Sequence, residues 1–134
     1  MKLTNQAAWD AQVALMRRAL NLVAPKRHDY SGNDEPFANF NKSVLVGVEP
    51  WRGALARLFD KLSRLEQLAA CDGQGQVKDE SLVDTAADAV NYVCIAFCLI
   101  LESLPEAEAH KVLGVLDNKV LGVLDKVPKW WMIC

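Results

Sequence analysis

Surplus positive charge is missing from this chain. Fifteen Lys and Arg against 17 Asp and Glu leave a net charge of −2, which argues against a protein that grips a long nucleic-acid backbone, since such proteins carry a basic face. A single nucleotide remains admissible as a ligand. Cysteine is sparse and unpatterned: Cys71, Cys94, Cys98 and Cys134 fit neither a zinc spacing nor a secreted disulfide framework, because two fall in an apolar stretch and one ends the chain. They read as reduced structural thiols. The opening, MKLTNQAAWD, lacks the apolar core of a signal peptide, so neither a leader nor a membrane anchor is expected there and the cytoplasm is the expected compartment. A long hydrophobic run is also lacking. From Ala89 to Leu101 only Asn91 is plainly polar, and that stretch is shorter than the ~20 residues a bilayer requires, so it is expected to be a core helix buried on most sides.

What is present points to one all-α domain over 1–134, with 105–134 as a helical extension. A chain of 134 residues buries about two thirds of its unfolded surface without needing metal or disulfide. The expected architecture is a bundle of four or five helices around a central buried helix at about 80–104.

That central stretch, ESLVDTAADAVNYVCIAFCLIL from Glu80 to Leu101, changes character halfway. Glu80, Asp84 and Asp88 recur every four residues and Tyr92 continues the row, so they form one helical stripe leading from solvent toward the core. Carboxylates four apart repel by about 0.2 to 0.5 kcal/mol per pair. Burial raises the cost further unless a cation compensates. Mg²⁺ is one such cation, a hard ion that takes one or two carboxylates together with waters and phosphate oxygens. The competing reading is a solvated first turn whose acids favour the helix dipole.

Taken in order, the chain first offers Thr4 or Asn5 as an N-cap. Trp9, Val13, Met16, Leu20 and Val23 then mark one apolar helical face, which Pro25 is expected to end. Arg17 and Arg18 are expected on the wet side. The stretch KRHDYSGNDEPFANFNKS, Lys26 to Ser43, breaks the pattern and reads as a loop of about ten residues feeding a short helix. Its Lys26, His28, Tyr30 and Asn39 offer the charges, donors and acceptors that bind a nucleotide, and Phe37 and Phe40 are either core anchors or a platform for a base. Pro50 opens the next helix, whose seam is Trp51, Leu55, Leu58, Leu62, Leu65 and Leu68. Asp60, Lys61 and Arg64 stand off that seam, and Asp60 and Arg64 have the i, i+4 spacing of a surface ion pair. After Pro105 the segment KVLGVLD occurs twice, at 111–117 and 119–125. A period of eight turns the second copy by about 80° on an α-helix, so the two copies cannot present one face to one partner. With Trp130, Trp131, Met132 and Ile133 the tail reads as a self-association face or a final core element.

Three motifs in this order, KRHDYSGNDEPFANF, RLFDKLSRLEQL and VKDESLVDTAADAVNYV, resemble a phage and bacterial family called nucleotide-modification-associated domain 1. More distantly they resemble the all-α nucleoside-triphosphate pyrophosphatases of the MazG-like and dimeric dUTPase-like group. The resemblance covers about residues 13–102. It implies an α-helical, usually dimeric protein that holds Mg²⁺ on carboxylates of two facing helices and splits a nucleotide between its α and β phosphates. By position it implies Asp84 and Asp88, with Glu80 as a third, as metal ligands; Asp60, Lys61 and Arg64 as catalytic groups; and Lys26, His28, Tyr30, Asn39, Phe40, Asn91 and Tyr92 around the nucleotide. The larger group carries Glu-x-x-Glu and Glu-x-x-Asp pairs. Here the spacing in the last helix is four, and Asp60 and Glu66 stand about 120° from a common face on theirs. A nucleotide-binding or sequestering protein without turnover is therefore the alternative to an Mg²⁺-dependent pyrophosphohydrolase.

Overall fold

The computed structural model describes residues 1–30, 37–70 and 78–124, and within them the side chains of 26–30, 78–80 and 117–124 lie outside the description. Five α-helices follow one another: α1, Asn5–Tyr30; α2, Ala38–Asn41; α3, Pro50–Ala70; α4, Lys78–Ser103; and α5, Glu106–Leu124. A 3-10 helix at Lys42–Val46 joins α2 to the approach of α3, and no strand occurs among the described residues. The fold is all-α, as the periodicities require. Met1–Leu99 forms one compact unit and Ile100–Cys134 a second.

Thr4 is the residue that starts α1. The amide of Ala7 donates to its Oγ1 at 3.2 Å, which gives one of the helix's orphan donors a partner, and the amide of Ala8 makes the first helical bond to its carbonyl at 2.9 Å. Pro25 does not end this helix, contrary to expectation; α1 runs on to Tyr30 with Pro25 inside it. A proline ring removes one N–H and crowds the carbonyl four residues back, but its fixed φ is already helical, so only that one bond is forfeited before the helix resumes. The loop expected from Lys26 is correspondingly shorter at its front.

The connection into α3 is tightly closed. Gly47 sits at φ +74°, ending the 3-10 helix in the left-handed region, where a residue with a Cβ is strained. Its amide donates to the Val44 carbonyl at 3.0 Å, the Val48 amide donates to the Ser43 carbonyl, and the Ser43 hydroxyl returns a bond to the Val48 carbonyl at 2.8 Å. The Glu49 carbonyl then receives the first amides of α3, with Pro50 in its first turn where a missing donor costs nothing.

Helix packing in the first unit relies on small residues. The buried hydrophobic positions among the described residues are Ala19, Ala54, Ala87, Ala89, Ala96 and Leu99, and Thr85 is the buried polar one. Ala54, Ala96 and Leu99 form a cluster against which Phe37, Phe40, Trp51, Leu55 and Ile95 pack. Phe37 and Phe40 therefore act as anchors of α2 on α3 and α4.

Two expectations about faces need correction. The α1 seam is only partly its packed face: Val13 and Val23 are half-buried but Trp9, Met16 and Leu20 are 54%, 50% and 68% exposed, while Ala19 is buried and Leu15 and Leu22 are half-buried. A small residue at the point of contact lets helix axes approach closely, so α1 docks around Ala19 and turns its bulkier stripe aside. Likewise, α4 is buried along one side rather than on most sides, with Leu82, Val83, Val93, Phe97 and Ile100 all exposed. Two neighbouring helices can cover only part of a helix's circumference. By length and composition Ser81–Ser103 would suffice to cross a bilayer, with 28% of its most apolar window buried.

In the second unit, Pro105 separates α4 from α5. Its carbonyl receives the amides of Glu108 and Ala109 at 2.9 and 3.0 Å, and Glu106 and Glu108 favour the positive end of the helix. Of the repeated KVLGVLD, the second copy and the closing Trp-Trp-Met-Ile run lie outside the residues whose side chains are described.

Candidate functional site

The acidic stripe of α4 is where three helices meet. Asp84 and Asp88 are one turn apart, and each receives a cation from a different helix. The Arg18 guanidinium of α1 donates to Asp84 Oδ1 through Nη2 at 2.9 Å and through Nε at 3.3 Å. Lys61 Nζ of α3 lies 2.9 Å from Asp88 Oδ2. Two carboxylates that would repel if left alone are thereby neutralised one by one, and the pairs hold α1 and α3 against the same stretch of α4.

Both pairs remain open to water. The side chains of Arg18 and Asp84 are 47% and 45% exposed, those of Lys61 and Asp88 28% and 39%. Exposed pairs contribute about 0 to 1 kcal/mol each, so either cation can be exchanged for another positive group at small cost. This exposure decides how a metal would fit. Mg²⁺ keeps several waters and takes one or two carboxylates plus phosphate oxygens. Two solvent-reachable carboxylates suit an ion that arrives with a phosphate ligand. They do not make a protein cage, and no group of three His, Cys, Asp or Glu able to hold a metal occurs among the described residues. The side chain of Glu80, the third member of the stripe, lies outside the described residues.

The apolar pattern of α1 does not lead to Arg18, because Trp9, Met16 and Leu20 outline a face that places it in solvent. A second stripe of Leu15, Ala19 and Leu22 lies about 110° round the helix from the first, with Arg18 at its margin. This is the stripe that docks. Next along α4, the Asn91 amide Nδ2 donates to the Ala19 carbonyl at 3.0 Å, tying α4 to the α1 backbone. Tyr92 meets Phe40 edge to face, with ring centroids 6.4 Å apart and planes at 78°. Asn39 is exposed on α2.

The remaining residues of the expected site sit apart from the carboxylates. Asp60 and Arg64 are not paired with each other among the described residues; they line a shallow depression of about 430 Å³ on α3 with Ser63, Gln67 and Leu68. No hydrogen bond or ion pair joins them to Asp84 or Asp88 among the described residues. Of the expected catalytic trio, Lys61 alone reaches the acidic stripe. The side chains of Lys26, His28 and Tyr30 lie outside the described residues. No family model, curated protein or solved structure matches the chain.

Proposed function

We propose that the chain is an Mg²⁺-dependent hydrolase of (deoxy)nucleotides, releasing pyrophosphate by attack of water between the α and β phosphates. The observation that supports this reading best is the convergence of Asp84, Asp88, Arg18 and Lys61 from three helices at a solvent-open place. Acidic groups there suit a divalent cation, and basic groups beside them suit the phosphates it accompanies. Asp84 and Asp88 would hold Mg²⁺, with Glu80 the candidate third ligand on their stripe. Bound in this way, the ion would neutralise phosphate charge and polarise the bond that breaks.

The chain's own groups have distinct tasks. Arg18 and Lys61, released from the carboxylates, donate to phosphate oxygens, and Arg's planar fork does so through two bonds at once. Arg64 in its depression would meet the outer phosphates of a ligand that reaches that far, and the attacking water is activated by a carboxylate of the acidic stripe; Asp60, apart from that stripe, is assigned no step. Tyr92, held by Phe40, offers a flat edge for the base, and Asn39, Lys26, His28 and Tyr30 supply polar contacts to base, sugar and outer phosphate. The setting is cytoplasmic, in a bacterium or a phage-infected cell.

A second reading has its own observation. Each carboxylate already has a cation within 2.9 Å, and Asp60 makes no ion pair or hydrogen bond with the acidic stripe among the described residues. A protein that binds or sequesters nucleotides without turnover needs no more than this. Incubation with a panel of nucleoside triphosphates and Mg²⁺, read by pyrophosphate release, separates the two. Steady release that requires Mg²⁺ supports the hydrolase. Tight binding by calorimetry that persists in EDTA, with no product over hours, supports the binder.

A further inference from the structure

Across the 3-10 helix and the turn into α3 the chain points a run of large aliphatic side chains outward. Val44, Leu45 and Val46 are 61%, 86% and 79% exposed, and Val48 is 37% exposed. A single exposed Leu or Val is ordinary, but three in succession at this level are not. The turn that carries them is closed on itself: the Gly47 and Val48 amides donate to the Val44 and Ser43 carbonyls, and the Ser43 hydroxyl donates to the Val48 carbonyl. With so little of Leu45 and Val46 covered, the two stand out from the surface as a tip and do not line a groove.

We infer that this tip inserts shallowly into an anionic lipid surface and holds the protein there reversibly. The residues that follow it suit headgroup depth. Three positions after Val48, Trp51 is half-buried with the Arg52 guanidinium 4.9 Å from its ring centre, and Trp, Lys and Arg are the residues that gather at membrane interfaces. Charge agrees. From residue 37 to residue 59 Lys42, Arg52 and Arg57 stand against Glu49 alone, in a chain whose net charge is −2. All three cations are exposed, and Glu49 is occupied by Arg52 at 3.1 Å. The tip therefore lies in a basic segment of an acidic chain, which complements the negative lipids of a cytoplasmic leaflet.

The backbone of the tip tolerates that medium. The Gly47 and Val48 amides and the Val48 carbonyl bring their hydrogen-bond partners with them, where hydrocarbon supplies none. A protein pocket fits the tip less well, because the hot spots of protein contacts are rich in Trp, Tyr and Arg, while Leu and Val are under-represented in them. Three aliphatic side chains hold more weakly than the ~10⁴ M⁻¹ of a single myristoyl chain, and each cation at the surface adds a few fold, so the attachment is a reversible one.

The test is cosedimentation of the full chain with vesicles of mixed phosphatidylcholine and phosphatidylglycerol, beside vesicles of phosphatidylcholine alone. Wild type is expected to pellet with the mixed vesicles and to bind the neutral ones about tenfold or more weakly. Leu45→Ser combined with Val46→Ser is expected to lower the partition constant on mixed vesicles about tenfold or more, with unchanged circular dichroism because both side chains are already exposed. Lys42→Gln is expected to lower it about fivefold on mixed vesicles and to leave binding to neutral ones unchanged, and it keeps the test valid if the double variant loses helicity. Phe97→Ser, on the exposed side of α4, is expected to bind as wild type does. Any one of four results overturns the inference: wild type that stays in the supernatant, equal binding to both kinds of vesicle, a double serine or Lys42 variant that binds as wild type, or a Phe97→Ser variant that loses binding. Self-association of wild type without lipid that the double serine change abolishes would overturn it in favour of a second copy of the chain.

Discussion

Replacing Asp88 with Asn removes one negative charge and almost nothing of the side chain's shape, so its effect isolates the purpose of that charge. The Lys61–Asp88 pair is 2.9 Å long with side chains 28% and 39% exposed. For a pair this accessible, solvent screening limits the loss to about 1 kcal/mol. Relief of the Asp84–Asp88 repulsion returns about 0.2 to 0.5 kcal/mol, and the amide oxygen still accepts from Lys61. The net loss is on the order of 0.5 kcal/mol, which for a domain of this size lowers Tm by roughly 2 °C. Ligand stabilisation should behave oppositely. Mg²⁺ and nucleotide at one hundred times their dissociation constant stabilise a binding protein by about 2.7 kcal/mol, and Asp88→Asn should abolish that increment. The assay is thermal denaturation of both proteins with Mg²⁺ alone, nucleotide alone, both, and neither. A loss near the roughly 3 to 5 kcal/mol of a broken buried pair, the same in all four conditions, would show that Asp88 serves structure alone and refute the metal assignment. Full ligand stabilisation in the variant would refute it equally.

Leu99→Ala should destabilise the protein by about 2 to 5 kcal/mol in urea denaturation, as fully buried Leu truncations do, because Leu99 is 2% exposed in the only large-side-chain part of the core described. Ala54→Leu should cost about 1 to 3 kcal/mol, or more if the helices cannot separate, since Ala54 is fully buried where α3 meets α4; a neutral result would show that the helices are not in close contact there. Gly47→Ala should cost roughly 1 kcal/mol through its positive φ alone, since a Cβ at Gly47 would meet nothing within 4 Å, and unchanged stability would mean that this turn relaxes. Arg18→Met should weaken nucleotide binding more than it lowers Tm; equal losses in both would assign Arg18 to helix docking only.

The helical class, the Pro50 and Pro105 boundaries and the alignment of Asp84 and Asp88 on one stripe are legible in the chain itself, because they rest on local rules: the 3.6-residue period, the missing donor of proline, and the spacing of carboxylates along a helix. Lys61 as a partner to that stripe is also foreseeable, from its place beside the α3 seam. Three features belong to the tertiary structure. Periodicity shows that a helix has an apolar face but not which of two faces its neighbours choose, so the pattern favours the Trp9 to Val23 stripe of α1 where the stripe of Leu15, Ala19 and Leu22, bordered by Arg18, is the one that docks. Hydrophobicity shows that α4 seeks burial but not how many neighbours a short chain can supply, so a helix expected to be enclosed carries an exposed stripe of its own. Pro25 shows how a local stop signal is overridden when the ring's φ already suits the helix and a single hydrogen bond is all that is lost. Closeness between residues far apart in the chain, such as Arg18 with Asp84 or Asn91 with the Ala19 carbonyl, is decided by packing, because nothing in a local pattern encodes which turn of one helix comes to rest against which turn of another.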